Sequence, residues 1–85
     1  MNMNLGKCTV TVKNSENFIE ITKNDNNKVI IINKQKVILI EETEIKQGEF
    51  EFIVQLDGSI YITFQCYVGS ASKIESWIYN IWPSF

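Results

Sequence analysis

Between Lys7 and Tyr67 the chain reads as strand segments, several of which alternate apolar and polar with a period of two, and beyond Gly69 the apolar period becomes 3.6. A chain with that pattern has to lay one face of a sheet against one stripe of a helix, because neither can leave its apolar side in water. KCTVTVK (7–13) sets Cys8, Val10 and Val12 on one face and Thr9 and Thr11 on the other. FIEIT (18–22) places Ile19 and Ile21 together. KVIIIN (28–33) and KVILIEE (36–42) are apolar on both faces, which predicts strands in the middle of the sheet or barrel. GEFEFIVQL (48–56) turns Phe50, Phe52, Val54 and Leu56 inward and Glu49 and Glu51 outward. SIYITFQCY (59–67) opposes Ile60, Ile62, Phe64 and Cys66 to Tyr61, Thr63, Gln65 and Tyr67.

The links suit hairpins. NDNN (24–27) predicts a two-residue loop at Asp25 and Asn26, since both residue types tolerate left-handed geometry. That register opposes Ile21 to Ile30 and Ile19 to Ile32, so turn and core agree. NKQK (33–36) is equally short. LDGS (56–59) is a different case, because a two-residue Asp57–Gly58 turn would pair Val54 with Tyr61 and mix apolar with polar faces. A loop spanning Asp57 to Ser59, or a nearby bulge, pairs Phe52 with Phe64 and Val54 with Ile62, and is the prediction.

After Gly69, residues Ile74, Trp77, Ile78 and Ile81 fall on one helical face. SKIE (72–75) reads as a capping box, with Ser72 as the cap and Glu75 reaching back. Pro83 ends the helix near Trp82. About three helical turns are too few to stand alone in water, so this helix has to dock on the sheet. The predicted fold is α+β, mainly β. It is an antiparallel meander of about six strands, as a curved sheet or small barrel, with one C-terminal α-helix packed on it. Residues 1–85 form a single domain.

Eighty-five residues give room for one core, and 45% apolar composition can fill it. All eight basic residues are lysine, and isoleucine and asparagine are abundant, as in AT-rich coding sequences of low-GC bacteria and their phages. The net charge of −2 is unevenly spread. Residues 1–36 hold six lysines against Glu16, Glu20 and Asp25, while residues 37–85 hold Lys46 and Lys73 against seven acids. MNMNLGKCTV has neither the apolar stretch nor the cleavage site of a secretory signal, and no run reaches the length of a membrane span. A cytoplasmic protein is expected, with Cys8 and Cys66 as buried, reduced thiols.

The segment IYITFQCYVGSASKIESWIYNIW (60–82) is a last strand, a short polar link and a helix carrying Trp77. Over this quarter or so of the chain it resembles the end of the pleckstrin-homology-like fold. The resemblance implies a binding module without catalysis. Phosphoinositide-binding members of that family surround their first hairpin with lysine and arginine. Here the corresponding link, KNSEN (13–17), supplies Lys13 opposed by Glu16.

Catalytic chemistry finds little to work with. Glu41, Glu42 and Glu44 read as a solvated strand end, NDNNK lacks the ligand spacing of a calcium loop, and four glycines form no phosphate loop. No enzyme, metal or cofactor is expected. Net acidity without arginine also argues against nucleic-acid binding. The candidate partner-binding surface is aromatic and acidic: Tyr61, Tyr67, Tyr79, Trp82, Glu49 and Glu51. On a helix Tyr79 lies about 140° from Ile74 and Trp82 about 80°, so both flank or leave the buried stripe. Tyrosine and tryptophan offer large contact area at low entropic cost. The expected function is that of a small protein-binding module, an inhibitor of anti-defence or immunity type from a phage or mobile element, with its acidic residues able to mimic nucleic acid. The alternatives are a lipid- or small-ligand-binding domain of the pleckstrin-homology-like kind and a self-assembling protein, so a homo-oligomer is a further possible state.

Overall fold

Six strands and then one helix follow one another in the structure, a computed structural model that describes residues 1–13 and 17–79, without the side chains of Lys13, Ile78 and Tyr79. They are β1 (Asn2–Lys13), β2 (Phe18–Lys23), β3 (Val29–Asn33), β4 (Val37–Lys46), β5 (Glu49–Leu56), β6 (Ile60–Tyr67) and α1 (Val68–Tyr79). A 3₁₀ turn, Lys34–Lys36, joins β3 to β4. The class is the predicted one, α+β and mainly β with a C-terminal helix. The sheet is open, and its order is β3-β2-β1-β6-β5-β4. It is mixed and not a single antiparallel meander, because the central pair, β1 and β6, is parallel.

β1 is longer than the period-two pattern predicts. Its first half, Asn2 to Lys7, pairs with β6, and its second half, Cys8 to Lys13, pairs with β2. Between the halves the register slips at Asn4–Lys7, where Gly6 takes φ +70°. That slip changes which residues face inward: Met3 and Leu5 before it, Cys8, Val10 and Val12 after it. A strand that switches parity at a left-handed glycine does not read as one strand in the sequence.

The parallel centre decides what happens at the edges. Each flank is an antiparallel run of three strands, so β3 and β4 point the same way around the sheet. Closing the sheet would require a parallel β3–β4 pair, and such a pair needs a crossover of about a dozen residues or more. The 3₁₀ turn between them has three. It holds the two edges within about 14 Å of each other at that end without letting them pair. Lys34 N–H donates to Asn17 C=O at 3.0 Å and Asp57 N–H donates to Lys36 C=O at 2.9 Å, which fastens the turn to both flanks.

Segments 28–33 and 36–42 therefore run along the two edges and not through the middle, contrary to the sequence expectation. In β4 the register slips past Ile38, which leaves Ile38 and Leu39 both exposed while Val37 and Ile40 face the core. That bulge is why the segment reads as apolar on both faces.

The hairpin registers are as predicted. Ile19 opposes Ile32 and Ile21 opposes Ile30, although the loop spans four residues, closed by Lys23 N–H to Lys28 C=O at 2.8 Å, with the left-handed residue at Asn27. Phe52 opposes Phe64 and Val54 opposes Ile62 across a three-residue loop whose Gly58 and Ser59 both have positive φ. Loop length thus places Phe50, Phe52, Val54 and Leu56 of β5 on the same side as Ile60, Ile62, Phe64 and Cys66 of β6.

The helix differs from the prediction at its start. Ser72 is no cap: α1 begins at Val68, and Ser72 Oγ donates back to Val68 C=O at 2.9 Å within it. Val68 N–H donates to Gly48 C=O at 3.0 Å, so the chain passes from β6 into the helix without a polar link. The helix takes the place beside β1 that β6 gives up. There Ser70 Oγ accepts from Val10 N–H at 3.0 Å and Lys73 Nζ donates to Val10 C=O at 3.2 Å, satisfying ladder groups with no strand to bond. Ala71, Ile74 and Trp77 form the buried stripe, with Trp77 2% exposed as its period predicts. Ile81, Pro83 and Phe85 lie outside the described residues.

One cluster fills the space between the flanks and the helix. Val10, Ile19, Ile21 and Ile32 meet Phe52, Val54, Ile62 and Phe64, with α1 across the end. Phe52 and Phe64 stack with centroids 5.6 Å apart, a cross-strand pair with no exposed area to speak of. Cys8 and Cys66 are free and buried among them. Burial, then the neighbouring Cys8 and Glu42, pushes the Cys66 thiol up to about 11, well away from the reactive thiolate. Truncation of Phe64 to alanine should lower unfolding free energy by about 3–5 kcal/mol, measured by urea denaturation followed by circular dichroism. A loss below about 1 kcal/mol would mean the aromatic pair is not the centre of the core.

Candidate functional site

The outward face of the β1–β6–β5–β4 flank carries the sequence-predicted surface residues. Strand alternation puts Tyr61, Thr63, Gln65 and Tyr67 on it from β6, and Glu49, Glu51, Ile53 and Gln55 from β5. Tyr61 is 38% and Tyr67 54% exposed, so both point away from the core as predicted. Six residues apart on one strand, they stand roughly 20 Å from each other.

Tyr67 is held in place. Lys7, brought opposite Gln65 by the slip at Gly6, lies 5.4 Å from the Tyr67 ring centroid and donates to its hydroxyl at 3.4 Å. The same ammonium donates to Glu49 Oε1 at 3.0 Å, and Lys46 stands 4.0 Å from Glu49 Oε2. A residue far along the chain from both therefore couples Glu49 to Tyr67. The Lys7 hydrogen bond holds the Glu49 carboxyl below its ordinary value, and the Glu49 and Tyr67 hydrogen bonds raise Lys7. Glu51 accepts from Gln65 Nε2 at 3.0 Å. Both glutamates of the predicted acidic face are thus engaged within the sheet.

Tyr61 sits apart from this network, opposite Asn2 and Gln55. Its backbone N–H donates to Met1 C=O at 2.9 Å, and the N-terminal ammonium donates to Ser59 C=O at 3.0 Å. Tyr79 closes the described part of α1, and its side chain, like all of Trp82, lies outside the described residues. The structure brings Tyr67, Glu49 and Glu51 to one region and Tyr61 to the far end of the same face.

The alternation pattern misses a second group of exposed side chains. Val29 and Ile31 on β3, and Ile38, Leu39 and Ile45 on β4, are all well exposed at the two sheet edges. The signal was present in their flanks. Lys28, Lys34 and Lys36 bracket one segment, and Glu41, Glu42 and Glu44 follow the other. Charges around an apolar strand are a common mark of an edge. Glu42 lies on the core side of β4, opposite Phe52. Burial, then Glu75 and Glu44, raises its carboxyl above the ordinary range.

Two depressions lie among the described residues. One of about 260 Å³ lies between Val12 and the Ser72, Lys73, Ser76 and Trp77 side of the helix. The other, about 450 Å³, is lined by Lys36, Leu56, Asp57, Gly58 and Ile60 at the end where the 3₁₀ turn crosses. Among the described residues no group of three or more histidine, cysteine, aspartate or glutamate side chains is placed to hold a metal ion. No helix among them is long and apolar enough to cross a membrane. No family model, no curated protein and no solved structure matches the chain.

The Lys7–Glu49 pair sets a pH dependence whose sign follows from its two shifts. Glu49 is lowered in the folded state, so its contribution is complete above the usual carboxylate range and is lost as pH falls through its lowered value. Lys7 is raised, so its contribution is complete below the usual lysine value and is lost as pH rises through its raised one. Melting midpoints of the wild type and of Lys7→Ala should therefore differ most between about pH 5 and 10 and converge toward both extremes. Parallel profiles across the whole range would show that the pair contributes nothing to folding.

Proposed function

We propose that the protein is a small non-enzymatic binding module that acts by occupying a surface of another protein, as an inhibitor of anti-defence or immunity type does. The observation that carries this reading is Tyr67, more than half exposed yet fixed by the Lys7 ammonium against ring and hydroxyl together. An aromatic side chain already held in one pose loses little freedom on binding, and that is what makes such residues energetic anchors. Tyr61, on the same rigid strand at roughly 20 Å, is a second anchor within the footprint of an ordinary interface. Nucleic-acid mimicry is the less favoured form of the reading. Glu49 is paired with Lys7 and with Lys46, and Glu51 is tied to Gln65 within the sheet, so Glu49 presents no free phosphate-like charge and Glu51 is held back on the strand.

One observation favours a second reading, binding of a lipid headgroup or another small anionic ligand. The depression beside Lys36 has room for a small ligand and offers it one cation, although Asp57 stands in the same lining. Sedimentation with anionic vesicles, abolished by Lys36→Ala, is the outcome this reading requires.

Immobilised wild type and a Tyr61→Ala/Tyr67→Ala variant, exposed to the same host lysate, test the first reading. One protein should be retained by the wild type and fall about tenfold or more with the variant, as read by mass spectrometry of the eluates. Equal retention by both would remove the tyrosine face from the interface.

A further inference from the structure

The two edges of the sheet are complementary to each other and are kept from meeting inside one chain. β3 is an aliphatic strand preceded by Lys28 and followed by Lys34 and Lys36, and β4 is an aliphatic strand that runs into Glu41, Glu42 and Glu44. Set antiparallel, with Ile30 opposite Ile40, the two agree residue by residue. Ile30 and Ile40 both lie on the core side. Ile31 then faces Leu39, both on the outer side and 60% and 45% exposed. Lys28 faces Glu42, on the same side as Ile30 and Ile40. Val29 lies over the stem of Glu41. The slip at Ile38 ends the match before the lysines of the 3₁₀ turn meet one another.

This is the register a β3–β4 hairpin would adopt, and the fold forbids it within the protomer. The parallel β1–β6 pair points β3 and β4 the same way around the sheet, and the three-residue turn cannot cross to make a parallel pair. Each edge therefore keeps unpaired ladder groups and apolar side chains beside a run of one sign, Lys28 and Lys34 around β3 and Glu41, Glu42 and Glu44 along β4.

We infer that a second copy of the chain is the occupant of these edges, with β3 of one protomer adding antiparallel to β4 of its partner. The inference rests on reading the chain as a binding module, and it names what the sheet edges bind. Glu42 supports it independently of the strand match. Burial and the neighbouring acids Glu75 and Glu44 make its charge unfavourable in the protomer, and Lys28 of a second copy would bring a cation to that side of β4. Because each protomer carries one edge of each kind, the contact either closes on two copies or continues into a longer assembly.

Sedimentation equilibrium and light scattering across concentration, at low and high salt, read the result. The mass should exceed the monomer value of 9.9 kDa at low salt and fall toward it as salt rises. Ile31→Lys and Leu39→Lys should each give a monomer with an unchanged far-ultraviolet circular dichroism spectrum. Lys28→Glu and Glu42→Lys should each raise the dissociation constant about fivefold or more, and the two changes in one chain should restore it. A monomer at every concentration up to about 0.5 mM, or single charge reversals without effect, or a double reversal that fails to restore, overturns the inference. None of these outcomes touches retention of a different protein by the tyrosine face, so self-pairing can fail while the proposed function stands. The converse is distinguishable too, because Tyr61→Ala/Tyr67→Ala leaves both edges intact.

Discussion

The parallel contact between β1 and β6 is the constraint from which the rest of this structure follows. It joins two antiparallel three-stranded flanks through one strand that pairs with both, and Gly6 at φ +70° is where that strand passes from β6 to β2. Because β1 leaves β6 after Lys7, a length of its other edge is bare, and α1 fills it with Ser70 and Lys73 on the backbone of Val10. Because the centre is parallel, the outer strands run the same way and a short link cannot close them. An open, curled sheet with a helix across one end is the remaining arrangement that buries both flanks.

The same constraint sets the surface. The slip at Gly6 brings Lys7 to the outer face beside Tyr67 and Glu49, and so creates a held aromatic at the end of a central strand. It also leaves apolar edges exposed, because the two strands that would shield each other are held apart by topology. Edge exposure is a hazard that proteins ordinarily blunt with charge, and the lysines around β3 and glutamates of β4 do that. Their opposite signs make the two edges suited to each other while discouraging like edges from pairing.

Core packing and binding surface draw on different parts of the alternation. The inward positions Ile19, Ile21, Phe52, Val54, Ile62 and Phe64 are aliphatic or aromatic, and they end up almost wholly buried. The outward positions mix threonine, glutamine, tyrosine and glutamate, residues that stay solvated and can still contribute hydrogen bonds and area to a partner. Trp77 belongs to the first class: it closes the end of the core, with Lys34 Nζ 6.0 Å from its ring centroid.

By itself the sequence determined the local chemistry of this protein. Alternation placed Phe52, Val54, Ile62 and Phe64 inside and Tyr61 and Tyr67 outside, and the need to keep apolar faces together fixed the register of the hairpins at 24–27 and 57–59. The 3.6 period placed Ile74 and Trp77 under the helix. Such features are legible because each depends on residues a few positions apart. Tertiary structure alone decided the rest. Residues 2–6 joined the sheet through a parallel pairing that no nearby turn encodes, and a parity switch at Gly6 hid that strand from the period. Ile31 and Leu39 became edges and not centre because strand order is set by which long-range pair forms, and an apolar run is compatible with either place. Lys7, Glu49 and Tyr67 became one cluster for the same reason: three strands far apart in the chain meet there, and only the folded sheet brings their side chains within bonding distance.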